Sequence, residues 1–175
     1  MASKARRSGH RWRFIGWGIA VALIVTPLIA MQVTREVNWT GSDFLFATIV
    51  IGGVGAIYEL AARRSQNQAY RAGVAFALTA ALLIVLANGA VGMIGQENNP
   101  FNLLFYGVVL LAIGGSIIAR FRSSGMAWTM TSAAVAQAMI SGAGLLSDPR
   151  GALFSLAFSG LWLVSAAFLR KSARS

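Results

Sequence analysis

Six apolar runs, each about long enough to cross a membrane, alternate with short polar connections along the chain. They cover Phe14–Gln32, Phe44–Ala62, Gly73–Ile94, Phe101–Ala119, Met126–Leu146 and Ala152–Leu169. A helix rising about 1.5 Å per residue needs roughly 20 mainly apolar residues to cross about 30 Å of hydrocarbon. Each run therefore predicts a transmembrane helix, and the fold class is an all-α membrane protein built as a six-helix bundle. The fifth run is the most dilute, because Thr129, Thr131, Ser132, Gln137 and Ser141 interrupt it. It carries no charge, and pairing with the sixth as a hairpin would assist its insertion.

The punctuation between the runs agrees with these limits. Asn99-Pro100 precedes the fourth run and Asp148-Pro149 the sixth. Asn and Asp accept hydrogen bonds from the unpaired amides of a helix start, and proline at the first helical position loses no bond there. Ser42 or Asp43 offers the same service to the second run. The first run has the basic start and apolar body of a secretory signal, but Leu28-Ile29-Ala30-Met31-Gln32 offers no small-x-small cleavage pattern. It reads as an uncleaved anchor, kinked at Pro27.

Charge sets the orientation. One alternating set of tails and connections contains thirteen basic residues: Lys4, Arg6, Arg7, Arg11 and Arg13; Arg63, Arg64 and Arg71; Arg120 and Arg122; Arg170, Lys171 and Arg174. The opposite set has only Arg35 and Arg150, with Glu36, Asp43, Glu97 and Asp148. Short loops rich in Lys and Arg stay in the cytoplasm. Both termini are therefore expected there, as a basic tail over residues 1–13, a membrane domain over 14–169 and a second basic tail over 170–175. Removing any one span would spoil the alternation.

Composition agrees. Of 175 residues, 57% are hydrophobic and 11% charged, with a mean hydropathy of +0.66. A water-soluble domain carries about 25% charged residues. The net charge of +10 does not point to nucleic acid, because the cations sit in short clusters between apolar runs. Nucleic acid is accordingly not an expected partner; the bilayer and its anionic headgroups are, with Lys4, Arg6, Arg7, Arg11 and Arg13 as the headgroup-binding residues. There is no cysteine and a single histidine, His10, so thiolate and multi-histidine metal sites are excluded. No motif calls for a cofactor. Arginine outnumbers lysine heavily, and Ala and Gly abound, as in proteins from GC-rich bacterial genomes.

Helices in lipid associate through small residues and a few polar contacts, since the tails are as apolar as leucine. Gly52, Gly53 and Gly55, the series Gly89, Gly92 and Gly95, the group Gly114, Gly115 and Ser116, Ala138 with Gly142, and Ser155 with Ser159 are expected to do this work. Trp12, Trp17, Trp39, Tyr70, Tyr106 and Trp128 lie near span ends, as interfacial aromatic rings do. A faint repeat relates Arg64…Ala69-Tyr70 to Arg122…Ala127-Trp128, as a duplicated hairpin would.

No catalytic constellation is visible. Three polar residues form the candidate site: Glu59, the one acid placed within a span; Asn88 in the third; and Glu97 in the turn Gln96-Glu97-Asn98-Asn99. Polar groups inside a membrane mark function or interhelical hydrogen bonds. Glu59 precedes Arg63 by one helical turn, the favourable order for an ion pair, with Arg71 as the second choice.

The stretch Trp39-Thr40 with Asp43-Phe44, then Tyr58-Glu59-Leu60, Asn67 and Ala69-Tyr70-Arg71 continues into Asn88, Gly92, Gly95, Glu97, Asn99-Pro100 and Asn102-Leu103. Over residues 39–122 this resembles a family of small uncharacterised multi-pass proteins of the bacterial inner membrane. The resemblance implies that location and carries over no catalytic role. Three functions compete, in this order: a non-enzymatic membrane component, packed through small residues as a homo-oligomer or as a subunit of a larger membrane complex; a small transporter or channel; and a membrane enzyme acting on lipid, for which no acid/base or metal cluster is visible. The second predicts that Asn88, Gln137 and Thr131 converge on one enclosed cavity.

Overall fold

The computed structural model describes residues 2–35 and 37–175, with side chains from residue 16 onward. Every regular element among them is helical: α1 (Ala2–Val33), α2 (Gly41–Arg64), α3 (Gln68–Ala90), a single 3-10 turn (Pro100–Asn102), α4 (Leu103–Ile118), α5 (Ser123–Gly144) and α6 (Pro149–Ala173). Five are long and apolar enough to cross a membrane: α1, α2, α3, α4 with its preceding turn, and α6. The dilute fifth run forms a 22-residue helix, but it is not among those five.

The chain folds as two compact units, Met1–Glu59 and Leu60–Ser175, with the boundary inside α2. In the first, α1 carries Pro27 within it, and the Trp17 ring lies over Gly55, where an added Cβ would stand 3.1 Å from it. The start of α2 is fastened differently from expectation. Thr40 precedes the helix, and the Asp43 carboxylate accepts from both the Thr40 amide and its hydroxyl, at 2.7 Å each. This is the reach-back half of a capping box, so Asp43 serves from inside the first turn.

In the second unit α3, α4, α5 and α6 form a closed ring of helices, each packed on the next, with α6 also against α3. Its interior is assembled from small residues around a few large ones. Ala80, Ala133, Ala134 and Ala152 surround Trp162, Phe105, Ile84 and Leu169, all buried. The large aliphatic side chains face outward: Leu103, Leu110, Ile113, Ile117, Val135, Met139, Leu153, Phe154 and Leu163 are all exposed. Such a surface suits hydrocarbon, where close packing of small residues holds helices together.

The glycines do that packing at fewer places than expected. A Cβ at Gly73 would meet Leu169 at 2.7 Å, and one at Gly144 would meet Ile94 at 2.6 Å. Gly115 sits as tightly against Thr129. Gly52, Gly53, Gly114 and Gly142 have nothing within 4 Å of that position. Gly92 and Gly95 are not on α3 at all. The helix ends at Ala90, and both glycines adopt positive φ, +77° and +68°, in the turn beyond.

Candidate functional site

The polar residues singled out in the sequence fall into separate places. Asn88 is buried at the end of α3, one turn before the chain leaves the helix. Its amide nitrogen donates to the Asn102 carbonyl at 2.9 Å, and its Oδ1 accepts the Met93 amide at 3.3 Å. Asn102, also buried, is the centre of the knot. Its Oδ1 accepts the amides of Met93 and Ile94 at 3.1 and 2.9 Å. Its Nδ2 donates to the Gln96 carbonyl at 2.9 Å. Asn99 caps the next turn by accepting from Phe101 and donates to Ile94.

The sequence places Met93 and Ile94 at the end of the third span, but they are buried residues of a non-helical turn. The turn is tolerated beside hydrocarbon because asparagine side chains bind its backbone amides. Asn88 is therefore a fastener of this turn and of the start of α4. Glu97 lies on the exposed rim of the same turn.

Asp148 closes this end of the bundle. Its Oδ1 caps α6 through the Gly151 amide at 3.0 Å, and its Oδ2 accepts the Gly95 amide at 2.8 Å. These two backbone bonds hold its carboxyl below the usual carboxylate range. One carboxylate thus ties the turn after α3 to the start of α6, a link for which Asp148-Pro149 showed only the capping half.

A second polar group lies between α5 and α6. Gln137 is fully buried and donates to the Ser155 carbonyl at 3.0 Å. The Ser155 hydroxyl reaches Ser141 at 2.7 Å, and Ser141 donates to the Gln137 carbonyl at 2.8 Å. Three buried polar atoms near this face have no partner among the described residues: Gln137 Oε1, Ser159 Oγ and Trp162 Nε1.

The opposite end of the second unit is basic. Arg64 lies over the Phe121 ring, 5.8 Å from its centre. Arg71 donates to the Ser65 and Ala62 carbonyls and to Gln66 Oε1, closing the end of α2. Those bonds engage the guanidinium named as Glu59's second choice. Glu59 itself is half-buried on α2. Arg170 lies over Trp128 at 5.6 Å and donates to the Thr131 hydroxyl at 3.0 Å. Trp128 is exposed, as an interfacial ring would be, whereas Tyr70 is buried and donates to the Phe121 carbonyl at 3.2 Å. The two aromatic positions of the faint repeat therefore have unlike surroundings.

Asn88 and Thr131 sit at opposite ends of the unit, and Gln137 bonds across to α6. Each is held by its own neighbours: Asn88 by the turn after α3, Gln137 by Ser155, and Thr131 by Ala127 and Arg170. The basic side chains Lys4, Arg6, Arg7, Arg11 and Arg13 lie outside the described residues. Among the described residues no group of three His, Asp or Glu is placed to hold a metal. No protein-family model, curated protein or solved structure matches this chain.

Proposed function

We propose that this is a six-span component of a bacterial inner membrane, with both termini in the cytoplasm, that acts through lateral association rather than through chemistry of its own. The observation that carries the reading is the use made of the polar groups within the spans and at their ends. Asn88 and Asn102 stitch a turn, Gln137 with Ser141 and Ser155 joins α5 to α6, and Asp148 locks two connections together. These are contacts of a scaffold, each joining helix ends or neighbours. The basic residues at one end of the second unit support the orientation.

The sixth span is α5. Its polar residues count against crossing a membrane alone, but Thr129 and Thr131 return their hydroxyls to the helix backbone at Gly125 and Ala127. Gln137 and Ser141 are buried against α6. A helix whose polar groups are mostly paired within itself or with a neighbour can reside in the bilayer. The family resemblance over residues 39–122 belongs to the same reading.

Association has a ready surface in the second unit, where Gly107, Gly114, Gly142 and Gly160 leave open ground between large aliphatic side chains. Small residues of this kind allow backbones of neighbouring helices to approach. Light scattering of the full chain in mild detergent, and native mass spectrometry from nanodiscs, should both report a dimer or higher oligomer. A strictly monomeric chain that carries a solute flux in proteoliposomes would replace this reading with the transporter.

A further inference from the structure

A groove of about 450 Å³ opens between the start of α3 and the end of α6, at the basic end of the second unit. Its mouth is polar, formed by Asn67, Gln68, Lys171 and Ser175, and its wall is apolar, formed by Ala72 and Phe168. Phe168 is stacked on Phe76, with ring centres 5.6 Å apart and planes within 9°. That pairing gives the wall a flat, rigid face.

Several cations of this end are held by neighbours. Arg71 serves the carbonyls that end α2, Arg64 lies over Phe121, and Arg170 is held by Trp128 and Thr131. Lys171 is the cation that lines the groove, and its ammonium makes no hydrogen bond or ion pair to a described residue. The two acids of the second unit, Glu97 and Asp148, lie at its far end. An ammonium on a flexible stem is a point charge suited to phosphate. With polar groups beside it and an apolar wall of Ala72 on α3 and Phe168 on α6, the groove matches a molecule that is anionic at one end and apolar along its length.

We infer that this groove binds one anionic phospholipid, its phosphate at Lys171 and an acyl chain along Ala72 and Phe168. The site is built from residues of α3, α6 and their flanks and uses none of the basic residues at positions 1–13. It rests on the reading of this end as the cytoplasmic membrane surface, where acidic lipid is met by basic residues.

The test is native mass spectrometry of the full chain in detergent, titrated with phosphatidylglycerol, phosphatidylcholine or sn-glycerol 1-phosphate. A single phosphatidylglycerol should bind more tightly than phosphatidylcholine. Lys171→Gln should weaken it about fivefold, the effect of removing one cation near an acidic headgroup. Arg122→Gln removes an equal charge at the same end but away from the groove, and should leave binding unchanged. Ala72→Phe fills the wall without altering charge and should abolish binding while the melting temperature holds. The tail is the same in all variants, so these differences read the groove alone.

Equal weakening by Lys171→Gln and Arg122→Gln would overturn the site in favour of diffuse charge. Equal binding of phosphatidylcholine, or saturable binding of the soluble glycerol phosphate, would overturn the anionic lipid as occupant. The detergent experiment does not depend on orientation, so a failed topology would be seen separately in reporter fusions.

Discussion

Arg120 and Phe121 are the two non-glycine residues with positive φ among those described, at 51° and 57°. Their hydrogen bonds explain the conformation. The Phe121 amide reaches back to Ser116 and the Arg120 amide to Ile117, the paired bonds that close a helix with a left-handed residue. Glycine usually takes that place, because a Cβ there costs about 1–2 kcal/mol. Arg120→Gly should therefore stabilise the protein by about 1 kcal/mol in thermal unfolding in detergent. Gly92 is the opposite case. It closes α3 with φ +77°, its amide bonding to Asn88, and an added Cβ would stand 2.6 Å from Asn102 Nδ2. Gly92→Ala should destabilise by about 2 kcal/mol or more, since strain and displacement of Asn102 combine. Asp148 adds a pH dependence. Its folded pKa is depressed by backbone amides, so its contribution is complete above the unfolded value of about 3.9 and fades as pH falls through the folded value. Melting temperatures from pH 7 down to 3 should show an acid limb that is shallower in Asp148→Asn, a variant already less stable at neutral pH.

At the scale of elements, the asparagine turn and the α5–α6 contact answer to different physics. Asn102 holds three backbone groups of a buried turn that has no helical ladder of its own. Asn102→Ala leaves the buried Ile94 amide unpaired and the Met93 amide with only the longer bond to Asn88, and should cost about 1–3 kcal/mol or more. Gln137 makes one donated bond to a carbonyl and leaves Oε1 without a partner. Interhelical bonds of this kind average about 0.6 kcal/mol in membranes, so Gln137→Leu should change stability by less than about 1 kcal/mol. If Gln137→Leu instead costs as much as Asn102→Ala, the α5–α6 network holds the helices more strongly than an ordinary interhelical bond does. Helix existence, and caps such as Asn99 and Asp148, were legible because apolar run length and cap chemistry are local. The end of α3 was not. Val91 to Ile94 are nearly all apolar, and only the asparagines that receive the Met93 and Ile94 amides, five to nine residues away, explain why the helix stops.

At the scale of the whole molecule, charge distribution makes the strongest commitment. Reporter fusions after Asn38, Asn98 and Ser147 should read periplasmic, and fusions after Gln66 and Ser123 cytoplasmic. A cytoplasmic reading at Asn98 contradicts the orientation, and fusions after Ser123 and Ser147 reporting the same side would remove α5 from the spans. The sequence by itself determined the helical class, the apolar lengths and the alternation of charge. Those follow from the bilayer as solvent, which acts on each segment separately. Tertiary structure decided which small residues carry the packing within the second unit, Gly73, Gly115 and Gly144 rather than Gly114 or Gly142. It also decided which polar residues work together. Asn88 found Asn102, Asp148 found Gly95, and Lys171 was left at a groove whose wall comes from α3 and α6. Pairings of that kind depend on which faces of distant helices meet, and periodicity along one helix does not contain that information.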